Sequence, residues 1–172
     1  SATGDITNST FTRNVARQSL GGAITVNTTR PVAVVNCTIV DNHAPGDVAF
    51  AAGINVDANH ALTLKNTILA HNTAGNVWNP WNIRRTVLDG GGNLQWPPTR
   101  PNGQDEPPAT VTVQWADPML LPIDVYGGPT ATMPPDDLSP AMGGGVTAGA
   151  PTIDQRGRVR TAPLEVGAYE AP

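Results

Sequence analysis

One phrase occurs three times in this chain, and its spacing restricts the fold more than any other feature. The copies read NSTFTRNVA at residues 8–16, NCTIVDNHA at 36–44 and NTILAHNTA at 66–74, so the period is 28 and then 30 residues. Periods of about 20–50 residues indicate a solenoid, in which each repeat buries its apolar side against its neighbours.

The composition of the repeat predicts strands. Apolar residues alternate with polar ones within each copy, the runs AITV at 23–26 and GINV at 53–56 add a second apolar stretch, and no segment shows helical spacing. Such a chain would advance one strand spacing, about 4.8 Å, per repeat. The predicted fold class is therefore all-β, a right-handed parallel β-helix with an irregular Gly/Pro-rich carboxy-terminal cap, the hand following from the general crossover rule.

The chain length of 172 residues predicts a single domain. Within 1–172 we expect recognisable rungs at 1–76, a loop-rich flank with a Pro-rich insertion and one strand at 77–116, and a cap region at 117–172. Glycine and proline together account for 35 residues, which requires frequent turns.

Charge and cysteine content exclude several classes of partner and cofactor. The net charge is −4 and the ten basic residues are scattered, which argues against nucleic acid, and no run reaches the ~18 apolar residues of a membrane span. The lone Cys37 excludes a multi-cysteine metal site and is interpreted as a buried, inert thiol. No two carboxylates occupy the same aligned position of the repeat, so we predict no metal and no cofactor.

Asparagine marks two columns of the repeat. Asn tolerates left-handed backbone angles at sharp turns, and stacked Asn side chains can hydrogen-bond between neighbouring rungs. We interpret both columns as structural ladders rather than ligand sites; their members are Asn8, Asn36, Asn66, Asn14, Asn42 and Asn72.

The position before the second asparagine is the best candidate for catalysis. It holds Arg13, Asp41 and His71 on successive rungs, and an acid, a base and a cation about 5 Å apart could transfer protons on a bound sugar. The alternative, which we favour, is a solvent-facing charge ladder at a turn. The acidic pairs at 105–106 and 136–137 lie in Pro-rich loops and are interpreted as solvated turns.

Tryptophan offers a second candidate surface. The segment WNPW places Trp78 and Trp81 near one turn, where indoles could stack on a sugar face or contact a protein partner. Burial of these rings beneath the insertion is the alternative, and we favour it.

The carboxy-terminal third carries five ordered motifs: Asp117-Pro118, Gly127-Gly128-Pro129-Thr130, Ser139-Pro140-Ala141, Asp154-Gln155-Arg156-Gly157 with Arg160, and Gly167-Ala168-Tyr169-Glu170. In this order they resemble the carboxy-terminal region of exported bacterial parallel β-helix (PbH1-repeat) proteins of the choice-of-anchor Q type. Met142-Gly143 and Glu165-Val166 depart from that pattern. The resemblance implies export and a secreted or cell-surface location, with the export signal absent from this chain and expected to have been removed, and it implies no particular reaction.

The last two of these motifs, here called the tail motif, contain charged residues to which a physical role can be assigned. Its acidic and basic residues could pair with each other, with the aromatic ring packed on the last rung, so we interpret them as a cap rather than a ligand site. The residues concerned are Asp154, Arg156, Arg160, Tyr169 and Glu170.

The predicted function is a non-catalytic structural or adhesive module. The first rung is expected to expose backbone groups, so self-association or another subunit should cover it. A polysaccharide-active lyase or glycoside hydrolase, or a carbohydrate-binding module with a polysaccharide partner, remains the alternative.

Overall fold

The structure is a computed structural model that describes residues 4–18, 20–57 and 61–172. These residues form strands and turns and no helix. The strands are β1 (Gly4–Thr7), β2 (Thr10–Thr12), β3 (Ile24–Val26), β4 (Val32–Val35), β5 (Thr38–Val40), β6 (His43–Ala44), β7 (Ile54–Val56), β8 (Leu62–Lys65), β9 (Ile68–Ala70), β10 (Thr73–Ala74), β11 (Leu88–Asp89), β12 (Leu94–Trp96) and β13 (Gln114–Trp115).

The strands stack in parallel as a β-solenoid, which confirms the predicted fold class. Sheet A has the order β1-β4-β8-β11 and sheet B the order β2-β5-β9-β12-β13, while β3-β7 and β6-β10 form two-stranded sheets. The register matches the sequence repeat, because Ile6 pairs with Val34 and Val34 with Leu64. Three complete coils result, and a partial fourth follows them.

The partial fourth coil lies within residues 77–116, where the sequence predicts a loop-rich flank with a Pro-rich insertion and one strand. There β11 pairs with β8, β12 pairs with β9, and β13 adds a further strand to sheet B. The fourth coil is not recognisable in the sequence because Gly92, with φ of 67°, occupies the left-handed position that Asn66 and its equivalents occupy in earlier coils. Glycine and asparagine both tolerate that conformation, so the change preserves the turn while erasing the sequence pattern.

Apolar side chains fill the space inside the coils. Ile39, Leu69 and Leu64 are fully buried there, together with the thiol of Cys37, whose pKa burial raises to about 11. A second apolar cluster lies on the outer face of sheet B, where Val40, Ile68 and Leu94 contact Met133, Ala141 and Val166 from the carboxy-terminal third. Sheet B is therefore packed against apolar side chains on both of its faces.

The far end of the coils is closed by residues 107–113. Gln95 continues the inward column of Ile39 and Leu69 but is polar; its Nε2 donates to Pro107 O at 3.0 Å and its Oε1 accepts from Ala109 N at 2.7 Å. Ala109 is fully buried in the inner core, and its carbonyl accepts from Val87 N. The Pro-rich insertion therefore leads into the segment that covers the last coil.

Residues 117–172, here called the flank segment, lie along the side of the coils and not across their last turn. The segment contacts the first coil through a hydrogen bond from Asn8 Nδ2 to Ile153 O, the second through Ala168 N to Thr38 Oγ1, and the third through Gly167 N to Asn66 O. This differs from the predicted cap. The physical reason is that the outer face of sheet B is apolar in coils two to four and has to be covered along its length.

Candidate functional site

The predicted catalytic column lies at one turn of the coils, directly after sheet B. Thr12, Val40 and Ala70 are register partners, so Arg13, Asp41 and His71 follow them on three neighbouring coils. All three are exposed and have left-handed backbones, with φ of 58°, 56° and 54°. The positive φ predicted for the adjacent Asn14, Asn42 and Asn72 therefore falls one residue earlier.

A cleft of about 300 Å³ opens beside two members of this column. Its rim carries Asp41, His71 and Asp117, and its remaining lining is Val40, Pro118, Met119, Leu120 and Met133. His71 Nε2 lies 3.9 Å from Asp117 Oδ1, and the two side chains are 46% and 52% exposed. We call this feature the seam cleft because it lies between the coils and the flank segment.

Sequence reasoning found two rim residues of the seam cleft and missed the third. Asp117 is 46 residues beyond His71 in the chain, so no repeat spacing relates them. Its Oδ1 accepts from Met119 N at 2.9 Å, and this turn holds the carboxylate beside the coils. Arg13 does not line the cleft.

The two tryptophans of the WNPW turn have different surroundings. Trp78 is 78% exposed and lines a shallow groove of about 260 Å³ with Asp47, Gly75, Asn76 and Val77. Trp81 is half-buried against a cluster of alanines, and its backbone N donates to the Glu106 carboxylate at 2.9 Å. Only Trp78 presents its ring to solvent, so the two indoles do not form one surface.

Glu106 was interpreted from sequence as part of a solvated turn, and the structure shows it buried. Its carboxylate accepts from the backbone N of Trp81 and Asn82 and lies 3.1 Å from Arg100 Nε, although that N–H is not aimed at the oxygen. Burial raises the pKa of Glu106, and the backbone donors and Arg100 counteract part of that rise. The residue ties the insertion to the WNPW turn.

One asparagine column forms a continuous side-chain chain through the coils. Asn14 Nδ2 donates to Asn42 Oδ1, Asn42 Nδ2 to Asn72 Oδ1 and Asn72 Nδ2 to Asn82 Oδ1, at 2.8, 2.8 and 2.9 Å. Asn42, Asn72 and Asn82 are buried, whereas Asn14 is exposed on the first coil. Asn82 was not recognised in the sequence because it follows Asn72 by 10 residues and not by a full period.

The other asparagine column holds the flank segment. Asn8, Asn36 and Asn66 have φ near 50°, and Asn66 exchanges hydrogen bonds with the backbone of Val146 at 2.8 and 2.9 Å. Asn36 Nδ2 reaches Glu165 O and Gly167 O at 3.5 Å, and Asn8 Oδ1 accepts from Arg160 Nη2 at 3.1 Å. The side-chain amides of all three residues are therefore engaged in hydrogen bonds with the flank segment.

The charged residues of the tail motif form a buried cluster inside the flank segment. Arg156 Nη2 lies 2.8 Å from Asp154 Oδ2, and Arg160 Nη1 lies 2.9 Å from Glu170 Oε2. Tyr169 lies beneath the Arg156 guanidinium, 3.5 Å from ring centroid to carbon, and meets Tyr126 edge-on. Tyr169 therefore packs within the flank segment and not on the last coil.

Burial and pairing shift the acid–base properties of this cluster. Burial opposes ionisation of Asp154, but hydrogen bonds from Arg158, Arg156 and Glu170 together lower its pKa. Burial also lowers the pKa of Arg160, against the opposing effect of Glu170. For Glu165, burial followed by the neighbouring Glu170 carboxyl raises the pKa to about 7.

Within residues 4–18, 20–57 and 61–172, no group of three or more His, Cys, Asp or Glu side chains is arranged to hold a metal ion. In the same part of the chain, no helix is long and apolar enough to cross a bilayer. No protein-family description, curated protein or solved structure matches this chain.

Proposed function

We propose that this chain is a non-catalytic structural or adhesive module that closes one end of a β-solenoid. The observation that carries the proposal is the difference between the two ends of the coils. Residues 107–113 cover the far end, with Gln95 hydrogen-bonded to them. Both ends carry edge strands, β1, β2 and β3 at the near end and β11 and β13 at the far end, but at the near end Ile6 and Phe11 are only half-buried.

The direction of the asparagine chain supports the same assignment. Asn14 Nδ2 and Asn42 Nδ2 each donate to the Asn oxygen of the next coil toward the far end, and Asn42 Nδ2 also donates to Phe11 O on the coil before. Asn14 Oδ1 has no such donor among the described residues, so it is the free acceptor of the series. A further coil in the same register would supply the donor and would extend both sheets.

The resemblance of the flank segment to exported β-helix proteins supports a secreted or cell-surface setting. The motifs that carry the resemblance include the residues of the buried ionic cluster. Because Asp154, Arg156, Arg160 and Glu170 are engaged with each other, their use in holding the flank segment favours structure over chemistry.

The experiment that tests this function adds a coil. A copy of residues 32–61 joined ahead of Gly4 should stack on the first coil and raise the melting temperature by about 3–6 °C, because each coil is stabilised by its neighbour. The control is the same insertion with alanine in place of the copied Asn42. An unchanged melting temperature for both chains would contradict the proposal.

Polysaccharide recognition is the second candidate function, and two observations favour it. The seam cleft brings Asp41 and His71 together with Asp117, and the Trp78 ring faces solvent beside a groove. Depolymerisation of pectins, alginates or glycosaminoglycans, with or without calcium, that disappears in Asp41→Asn would establish an enzyme. Glycan binding that is lost in Trp78→Ala and kept in Trp115→Ala would instead establish a carbohydrate-binding module.

A further inference from the structure

The buried ionic cluster of the flank segment has an additional acidic neighbour, Glu165. Arg156 pairs with Asp154 and Arg160 pairs with Glu170, so each guanidinium already has its carboxylate. Glu165 is 6% exposed, and it makes no ion pair with any described residue. A buried carboxyl without a paired cation is disfavoured in its ionised form, so Glu165 is the surplus acid of this region.

Hydrogen bonds give Glu165 and its neighbour Glu170 different roles. Glu170 Oε2 accepts from Arg160 Nη1 at 2.9 Å and from Glu165 N at 3.3 Å, and its Oε1 accepts from Thr161 N at 2.9 Å. Glu165 Oε2 accepts from Ala171 N at 3.3 Å, and the Glu165 carboxyl is in hydrogen-bond contact with the Glu170 carboxyl. Two carboxyl groups can share a hydrogen bond only when one of them is protonated. Glu165 has fewer donors, so it carries the proton.

The shared proton lies where the flank segment is attached to the coils. Val166, the next residue, is buried in the apolar cluster on the outer face of sheet B. Gly167 N donates to Asn66 O at 2.8 Å, and Ala168 N donates to Thr38 Oγ1 at 3.1 Å. A change of charge at the carboxyl pair therefore acts directly beside these attachments.

We propose that Glu165 and Glu170 form a pH-sensitive latch: their shared proton holds residues 165–172, here called the latch segment, on sheet B, and its loss releases them. With the proton, the pair carries one negative charge, which Arg160 balances. Without it, two carboxylates repel each other at hydrogen-bond distance in a site shielded from water. Release would uncover the apolar surface that Val166 covers. The latch is independent of the near end, and therefore of the proposed function.

The other charged and titratable groups that face the pair do not reproduce this change. Arg160 and Asp154 face it from within the flank segment, Arg156 is paired with Asp154, and the Cys37 thiol faces Arg160 from the second coil. The pKa of Asp154 is lowered, by hydrogen bonds that outweigh its burial, and burial raises the pKa of Cys37 to about 11. Neither group changes its charge between pH 5 and pH 8.

The direction of the pH effect follows from the two states of Glu165. Burial, followed by the Glu170 carboxyl, raises the pKa of Glu165 from 4.5 to about 7 in the folded chain. A released Glu165 has its ordinary pKa, so release is coupled to loss of a proton between these two values. The latch therefore holds fully below pH 4.5, weakens as the pH rises to about 7, and stays at its weakest above that.

The test is amide hydrogen exchange of the intact 15N-labelled chain, followed by NMR between pH 5 and pH 8. Protection is expressed relative to the intrinsic exchange rate at each pH, because it then reports the free energy of opening. We expect protection of Gly167 and Ala168 to fall at least tenfold from pH 5 to pH 7.5. At pH 7.5 both amides should be at least tenfold less protected than Ile68, whose N donates to Cys37 O within the coils.

Matched variants separate the latch from other sources of pH dependence. Glu165→Gln reproduces the protonated carboxyl, with an oxygen for Ala171 N and an amide that can donate to Glu170, so protection should stay high at every pH. Asp137→Asn removes an exposed carboxylate elsewhere in the flank segment and should leave the loss of protection unchanged. Three results would each overturn the proposal: protection of Gly167 and Ala168 that does not change with pH, protection equal to that of Ile68 throughout, or the same loss in Glu165→Gln.

Discussion

At the residue scale, asparagine has two separate roles within one repeat. Asn8, Asn36 and Asn66 take the left-handed backbone themselves, whereas Asn14, Asn42 and Asn72 leave that conformation to the residue before them. The side chains of the second group point inward, where each amide forms hydrogen bonds between two coils. The sequence predicts a structural role for both columns. The presence of asparagine alone does not show which residue of each turn adopts the left-handed conformation.

Removing one amide should show how much the inner column stabilises the coils. Asn42 is fully buried; its Nδ2 donates to Asn72 Oδ1, Phe11 O and Val40 O, and its Oδ1 accepts from Asn14. Asn42→Ala leaves several buried groups without partners, and we expect a loss of about 2–4 kcal/mol in the free energy of unfolding. Asn14→Ala, at the exposed end, should cost about 1 kcal/mol or less. Urea denaturation measures both, and equal losses would contradict the interpretation.

At the scale of elements, local repeats were predictable and long-range coverings were not. The strands of coils one to three follow from a period of 28–30 residues, and their register is the one the repeat gives. The flank segment makes its contacts across far larger separations, such as Asn66 with Val146 and Asn8 with Ile153. No periodic signal records those contacts, so the placement of Asp117 beside His71 could not be foreseen.

The flank segment should make stability depend on pH in a defined direction. Glu165 has a pKa of about 7 in the folded chain, against an ordinary value of 4.5, so the folded state holds a proton that the unfolded state releases. The free energy of unfolding should therefore fall as pH rises from about 4.5 to about 7. Glu106, whose pKa is also raised, contributes in the same direction.

The control for this pH dependence is Glu165→Gln, which keeps the shape of the side chain and removes its ionisation. Denaturation curves measured between pH 4.5 and 8 should show a shallower slope of stability against pH in this variant than in the natural chain. An identical slope, or stability that increases with pH over this range, would contradict the assigned role of Glu165.

At the scale of the whole molecule, the two ends of the solenoid differ in what they can contact. Both ends carry edge strands, but the near end also presents Asn14 Oδ1, which accepts no hydrogen bond from the described residues, whereas residues 107–113 cover the core at the far end. Head-to-tail stacking, which would give open filaments, requires both ends to be available. Although β11 and β13 are also edge strands, residues 107–113 cover the core at the far end, so we propose that self-association pairs two near ends and stops at two chains.

The most direct measurement of this claim is the solution mass of the chain by light scattering across a concentration series. The structure predicts a mass that levels off at one chain of 17.9 kDa or at a pair. A mass that keeps growing with concentration would mean that the far end also accepts a partner, and the assignment as a module that closes a β-solenoid would be wrong.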